Sequence, residues 1–331
     1  MLGGGVWGAA LADHLARLGQ EVRLWEFFPD VAGSLKDTRR HPHLPRLRLD
    51  PSIKVTSILE EALPGARIML VVLLSGVVRS TAKRVRAVLD SWGPPRGLRV
   101  VNASKGIEGG TLRTMGEVLE AELPFARGRV FTLSGPSFAG EVADGIPTRL
   151  VLAGRDRGEA GRLAGIFEGR HVRVEVSADR KGIELGGSLK NVVAIGCGIL
   201  DGLAVRGPRS VGADTKAALM TQGLAEMARL IRAAGGREES AYSVAGIGDL
   251  IATGTSLLSR NRTLGEKLGR GMSLKAALRA IPTATEGVDA AQSAHALAKS
   301  KGAACPLHEA IWRVLHRGAP AYSVVRALGF A

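Results

Sequence analysis

The chain has 331 residues, with 45 Lys and Arg against 31 Asp and Glu, a formal charge of +14 and 45% hydrophobic residues. That length exceeds what one hydrophobic core usually serves and points to two domains. The apolar content excludes a largely disordered chain, and 44 glycines without a Gly-X-Y period exclude collagen.

Gly3-Gly4-Gly5-Val6-Trp7-Gly8 fits G-x-G-x-x-G. Leu11, Leu15 and Leu18 then share one helical face, and Gly19 suits a helix stop. The run from Val22 to Trp25 reads as a strand, and Glu26 ends it, 21 residues after Gly5. Glycines at 3, 5 and 8 permit a tight turn and let a pyrophosphate approach the helix N-terminus; an acid at 26 suits the ribose 2′-OH of NAD and repels the 2′-phosphate of NADP. Such a loop also occurs as a turn with no ligand, so its context matters. Only Met1 and Leu2 precede Gly3, whereas a central strand takes about 5–6 residues. Either the first strand is mostly missing, in which case the sheet loses its middle strand, or the natural start lies elsewhere.

Further strands are expected at Ile68 to Leu74, Leu98 to Val101, Val130 to Leu133, Leu150 to Leu152 and Val172 to Val176, at helix-sized intervals. Strands spaced in this way form βαβ units and a mostly parallel sheet. After Asp179 helical periods take over, as in Leu185, Leu189, Val192 and Val193, then Leu219, Leu224, Met227 and Leu230. The fold class is thus α/β: an N-terminal Rossmann-like, doubly wound sheet over 1–179, followed by an all-α domain over 180–331. The longest apolar run, Ile68 to Leu74, is far shorter than the ~18 residues of a membrane span, and none is expected. Cys197 and Cys305 lie far apart in apolar surroundings, which suits buried packing in a reducing compartment and gives no metal spacing. The 34 Arg and 11 Lys are scattered, and aromatics make up 4%. Both features disfavour a nucleic-acid binder built on basic runs and stacking rings.

Several segments carry chemistry. Lys105 follows a strand, where doubly wound sheets face their ligand, and can hold a phosphate or polarise a carbonyl; a solvated loop lysine is the plain alternative. The run from Ser134 to Ala139 also follows a strand and brings backbone N–H groups and the Ser137 hydroxyl toward a ligand, or is an ordinary Ser/Gly/Pro turn. Lys190 lies in an apolar helix beside Leu189, Val192 and Val193. A lysine there either snorkels out or has its pKa lowered enough to exchange a proton with a substrate oxygen. Asp249 and Thr253 are polar groups in an apolar setting. Ser259 suits a helix N-cap, with Arg260 and Asn261 placed to meet a phosphate.

Taken together, the run from Gly3, the segment Lys105 to Glu108, SGPSFAGE, LGGSLKNVVAIGCGILDGL, AALMTQGLAEMARL, GIGDL, SRNR and TEG resemble the bacterial NAD(P)-dependent sn-glycerol-3-phosphate dehydrogenases, in family order along nearly the whole chain. The resemblance implies reversible reduction of dihydroxyacetone phosphate to sn-glycerol 3-phosphate in a cytoplasmic homodimer that supplies phospholipid synthesis. It implies NAD as cofactor, with NADP possible, a small phosphate-ester substrate, and no metal or nucleic acid. By resemblance, Lys190 is the acid/base group, Asp249 the carboxylate beside it, and Lys105 a contact to substrate and cofactor. Gly135, Ser137, Asn191, Thr253, Ser259, Arg260 and Asn261 match substrate positions. Gly3, Gly5, Trp7, Gly8, Glu26, Phe27, Ala139, Arg260 and Glu286 match cofactor positions. Phe27 replaces a basic or polar residue, which tilts the expectation to NAD. Gln222 and Asp214 depart from the family's Arg and Asn near the expected site, and an insertion at about 204–211 adds Arg206 and Arg209. Two other readings stay open: a related Rossmann dehydrogenase for another hydroxyacid or ketone, or a weakly active or inactive member; and a basic, non-catalytic binder of nucleic acid or anionic surfaces.

Overall fold

The computed structural model describes residues 1–207, 211–281 and 284–330. Its contacts divide the chain into two units. Unit 1 is Met1–Ser104 with Met115–Arg180, and unit 2 is Lys105–Thr114 with Lys181–Ala331.

Unit 1 holds strands β1 (Arg23–Trp25), β2 (Arg40–His41), β3 (Leu44–Arg48), β4 (Lys54–Thr56), β5 (Ile68–Val71), β6 (Arg99–Asn102), β7 (Val130–Ser134), β8 (Thr148–Ala153) and β9 (Val172–Ser177). Its helices are α1 (Val6–Arg17), α2 (Pro29–Thr38), α3 (Leu59–Ala62), α4 (Ser75–Trp92), α5 (Met115–Glu122), α6 (Ala139–Ala143) and α7 (Arg157–Phe167). Strands β5 to β9 lie in sequence order, and only the β7–β8 pairing in that sheet is antiparallel. Alternate residues leave opposite faces of a strand. Leu70, Val101 and Phe131 accordingly join one apolar cluster with Leu11, Leu15 and Phe167 of α1 and α7. Met69, Val71, Val100 and Val130 join another with Val85, Leu89 and Leu119 of α4 and α5. Helices thus cover both faces.

The first strand is as short as the two residues before Gly3 lead one to expect, a single bridging residue, but the sheet keeps its middle. Leu2 bridges both Trp25 and Val71 in parallel. Leu2 N–H donates to Leu70 O (2.7 Å), and Leu2 O accepts from Val72 N–H (2.8 Å). On the other side Met1 O accepts from Trp25 N–H and Trp25 O from Gly3 N–H, both at 2.9 Å. Met1, Leu2 and Gly3 therefore bridge both neighbours, so β4 and β1 stay joined to β5. The strand expected over Ile68 to Leu74 stops at Val71, where the chain turns toward α4.

Unit 2 is helical: α8 (Arg180–Arg206, from Lys181 onward), α9 (Ala213–Ala233), α10 (Asp249–Thr255), α11 (Arg260–Gly269), α12 (Leu274–Arg279), α13 (Gly287–Lys301), α14 (Pro306–Arg317) and α15 (Ser323–Arg326). A cut at 179 assigned 105–114 to the first domain, but this segment packs with unit 2. Ile107 sits in the unit 2 core, its carbonyl accepts from Ser293 Oγ (2.9 Å), and Thr114 Oγ1 donates to Glu184 (2.6 Å). Helix α8 holds, within Arg180–Val205, an 18-residue window of mean hydropathy 1.5, enough in length and composition to cross a membrane. An uninterrupted-run criterion overlooks it because Lys190 and Asn191 break the run. Here 78% of that window is buried inside the unit. It meets α11 almost backbone to backbone. A Cβ on Gly198 would lie 1.9 Å from Arg262 O, on Gly202 2.2 Å from Glu266 O, on Gly265 2.0 Å from Ile195 O, and on Gly269 2.2 Å from Ile199 O.

Candidate active site and cofactor loop

In unit 1 the glycine loop is shaped by close approaches. Gly3 has φ +111°, and a Cβ there would sit 2.1 Å from Val72 O; one on Gly8 would sit 2.0 Å from Gly3 O. Gly5 differs: a Cβ there would meet nothing within 4 Å. Gly5 is also the N-cap of α1, with no side chain capping it. The protein's own packing therefore explains Gly3 and Gly8, while Gly5 keeps clear a cradle that a side chain would fill. An anion suits that place, since helix N-termini present N–H donors and positive potential. Trp7 lies in the first turn of α1.

Glu26, at the end of β1, is 8% exposed and accepts from Gly4 N–H (3.0 Å) and Phe28 N–H (3.1 Å). Phe27 is half exposed and meets Trp25 and Phe28 edge-on. Sequence reading finds no basic group here, yet Arg84 of α4 places its guanidinium 5.3 Å from the Phe27 ring centroid. Pattern alone could not pair residues so far apart in sequence. After β7, Gly135 adopts φ +133° and Ser137 Oγ donates to its carbonyl (3.1 Å), just before Ala139 opens α6.

Unit 2 gathers the titratable groups. Lys190 projects from α8, while Asp249 and Thr253 sit one turn apart on α10, which follows a π-helical turn over Val244–Gly248. Lys190 Nζ donates to Asp249 Oδ1 (3.0 Å) and Thr253 Oγ1 (2.6 Å), and Lys105 Nζ donates to Asp249 Oδ2 (2.6 Å). Lys190, Asp249 and Thr253 are buried. Burial lowers the Lys190 pKa to about 8; the nearby Lys105 adds to this, and Asp249 opposes it. Burial alone would raise Asp249, but Lys105 and Lys190 together hold it below the ordinary carboxylate value. Glu286 goes the other way: burial raises it, against Lys105, Arg260 and Lys190. The result is an anionic carboxylate held between two amines, one of them close to neutrality.

A second chain of buried amides lies in the same unit. Asn261 Nδ2 donates to Asn191 Oδ1 (2.9 Å), and Asn261 Oδ1 accepts from Gly287 N–H (3.0 Å), next to Glu286. Ser259 is buried and caps α11, accepting from Arg262 N–H (3.2 Å). Arg260 is exposed at the first position of α11. Arg262 instead pairs with Asp201 (2.7 Å), which also holds Lys216. Of the departures expected near the site, Gln222 donates to Glu226 (3.2 Å) and Ala327 O (3.1 Å), tying α9 to the C-terminal turn, and Asp214 is exposed in the first turn of α9. Arg209 and the Arg206 side chain lie outside the described residues.

Comparison with known proteins is decisive. A family model for the NAD-dependent glycerol-3-phosphate dehydrogenase N-terminus matches residues 1–160, and one for the C-terminus matches 179–326. A glycerol-3-phosphate dehydrogenase (NAD(P)+) of Geobacter metallireducens is 42% identical over 330 residues, covering 99% of this chain and 95% of that protein. The chain belongs to the NAD-dependent glycerol-3-phosphate dehydrogenase family. A relative of the same name from Nitratidesulfovibrio vulgaris is 41% identical over 99% of this chain and 96% of its own length. The solved glycerol-3-phosphate dehydrogenase of Coxiella burnetii superposes with a TM-score of 0.90 at 35% identity, covering 100% of this chain and 98% of that one. The family's N-terminal region includes Lys105, although that lysine packs with unit 2.

Proposed function

We propose that this chain reduces dihydroxyacetone phosphate to sn-glycerol 3-phosphate, reversibly, with a nicotinamide cofactor that supplies the hydride. The observation that carries this reading is the buried Lys190–Asp249–Lys105 cluster with Thr253. As the carbonyl carbon accepts hydride, its oxygen needs a proton, and a lysine with a pKa of about 8 gives one near neutral pH. In the oxidative direction neutral Lys190 takes that proton back. Asp249 stays ionised and keeps Nζ in place, and Thr253 fixes a second direction of the same nitrogen. Lys105, Arg260 and the amides of Asn191 and Asn261 supply donors for the substrate's phosphate and hydroxyl groups. By the family resemblance, Gly135 and Ser137 are further candidate substrate contacts and Ala139 a candidate cofactor contact. Gly5 and the first turn of α1 take the pyrophosphate, and Glu26 the adenosine ribose.

On the same reading the enzyme works in the cytoplasm as a homodimer and feeds glycerophospholipid synthesis. The two unpaired cysteines, Cys197 and Cys305, agree with a reducing compartment.

Cofactor choice follows from Glu26 and Arg84. Glu26 favours NADH by repelling a 2′-phosphate, while the Arg84 guanidinium beside Phe27 makes NADPH tolerable. Steady-state assays with dihydroxyacetone phosphate will give a higher kcat/KM for NADH than for NADPH. Arg84→Ala widens that ratio by about fivefold, the effect of losing one exposed charged contact to phosphate. A ratio favouring NADPH, or one unmoved by Arg84→Ala, would overturn the assignment.

A further inference from the structure

The segment Lys105–Thr114 carries one of the two amines on Asp249, yet both its ends continue into unit 1, at Ser104 and at Met115. Its seat in unit 2 therefore depends on contacts of its own. Ile107 fills the unit 2 core, and its carbonyl accepts from Ser293 Oγ of α13 (2.9 Å). Thr114 is fully buried and donates from Oγ1 to Glu184 Oε2 of α8 (2.6 Å). Ser293 and Glu184 are themselves buried. At the start of the segment, Lys105 Nζ donates to Asp249 Oδ2 (2.6 Å).

Between these pins the chain doubles back on itself. Ile107 and Thr114 form an antiparallel bridge, Glu108 N–H donates to Arg113 O (2.9 Å), and Leu112 N–H donates to Glu108 O (3.0 Å). The turn sets Leu112 at φ +56°, a conformation that a branched side chain keeps only where its surroundings impose it. Leu112 packs against the unit 2 core, which imposes it here. The pinned residues Ile107 and Thr114 are thus paired, and they form a fixed base two residues from Lys105. Glu184, which holds one pin, lies on the helix that carries Lys190. Both amines that share Asp249 are therefore placed with reference to α8.

We propose that Ser293 and Thr114 are positioning residues for the reaction: they pin the 105–114 strap to α13 and α8, and so hold Lys105 Nζ at Asp249 and in reach of the substrate's phosphate. This rests on the reading of Lys105 as a substrate contact. A lysine side chain has four rotatable carbons, so only a fixed backbone gives its nitrogen one place. Valine at 114 keeps the shape of threonine and loses the hydroxyl, whereas serine keeps the hydroxyl and loses the methyl.

The test follows dihydroxyacetone phosphate reduction by the full chain and by Thr114→Val, Thr114→Ser and Ser293→Ala, alone and in a Lys105→Met background, with melting temperature measured alongside. Thr114→Val and Ser293→Ala should raise KM roughly three- to tenfold, the effect of one lost hydrogen bond, and more than they lower kcat. They should also move the pH inflection of kcat/KM upward from about 8, because Lys105 is the like charge facing Lys190, against Asp249 and Glu286. Thr114→Ser should match the parent in both. Lys105→Met itself should raise KM about ten- to a hundredfold, and in that background neither Thr114→Val nor Ser293→Ala should add more than about twofold, since both act through the lysine. Losses that multiply in the Lys105→Met background overturn the proposal. So does a Thr114→Ser variant as impaired as Thr114→Val, or a fall in melting temperature with KM and inflection unmoved. Should Thr114→Val not fold, Ser293→Ala decides. A parent that does not turn over dihydroxyacetone phosphate would instead sink the reading of the site itself.

Discussion

Lys190→Ala lowers kcat for dihydroxyacetone phosphate reduction by about 10²- to 10⁴-fold, the range spanned by a general acid, and leaves NADH affinity near that of the parent. The loss follows from position and charge together. Lys190 is 6% exposed, and its nitrogen has two fixed partners, Asp249 and Thr253. Water reaching an alanine cavity would be neither oriented nor as acidic. The cofactor loop belongs to unit 1 and Lys190 to unit 2, so the two effects separate. Reduction needs the ammonium form, so kcat/KM for the ketone falls as pH rises through about 8, while oxidation gains over the same interval. Both inflections vanish in Lys190→Ala. Lys190→Arg does not rescue, because a guanidinium holds its proton throughout this range. An alanine variant within tenfold of the parent, or one that keeps the inflection near pH 8, contradicts the role given to Lys190.

The second large effect concerns stability. Gly198→Ala and Gly265→Ala each place a methyl about 2 Å from a carbonyl oxygen of the facing helix. Backbone cannot yield as a flexible side chain does, so α8 and α11 must separate. Overpacking of this kind costs about 3 kcal/mol or more, since 1–3 is usual where softer groups can move. For a unit of this size that is a fall of roughly 6–12 °C in melting temperature by circular dichroism. Gly161, in α7 and exposed, offers the contrast: a Cβ there meets nothing within 4 Å. Gly161→Ala should stabilise by about 1 kcal/mol through helix propensity alone. Melting within 2 °C of the parent for both Gly198→Ala and Gly265→Ala would show that the helices can part without cost.

Local pattern reveals some of this molecule and conceals the rest for physical reasons. Lys190 is conspicuous because an ammonium among Leu189, Val192 and Val193 is costly unless it has a task. The glycine loop is visible because its strand, helix and Glu26 follow at regular spacing. The β2–β3 hairpin is not, since Pro42 and Pro45 mask it and Leu47 is the one fully buried residue of β3. Lys105 reads as part of the first domain, and its own ion pair with Asp249 together with the contacts of Ile107 and Thr114 assigns it to unit 2. Gly198, Gly202, Gly265 and Gly269 are spaced by four in both helices, but spacing does not say which helices meet. Arg84 escapes altogether, because it acts on a residue brought near by the fold. Gln222 was expected near the site by its neighbours in sequence, yet its amide is spent on Glu226 and Ala327.

Other dehydrogenases share the architecture. A ketopantoate reductase from Ralstonia eutropha superposes with a TM-score of 0.60 at 18% identity, a likeness of fold alone. What separates the readings is the phosphate ester. The central claim is therefore tested most directly by following NADH absorbance when dihydroxyacetone phosphate is added to the full chain. The expected result is steady oxidation of NADH, one equivalent for each sn-glycerol 3-phosphate formed, and far slower turnover of unphosphorylated dihydroxyacetone. No oxidation with dihydroxyacetone phosphate, alongside turnover of an unphosphorylated ketoacid, would contradict it.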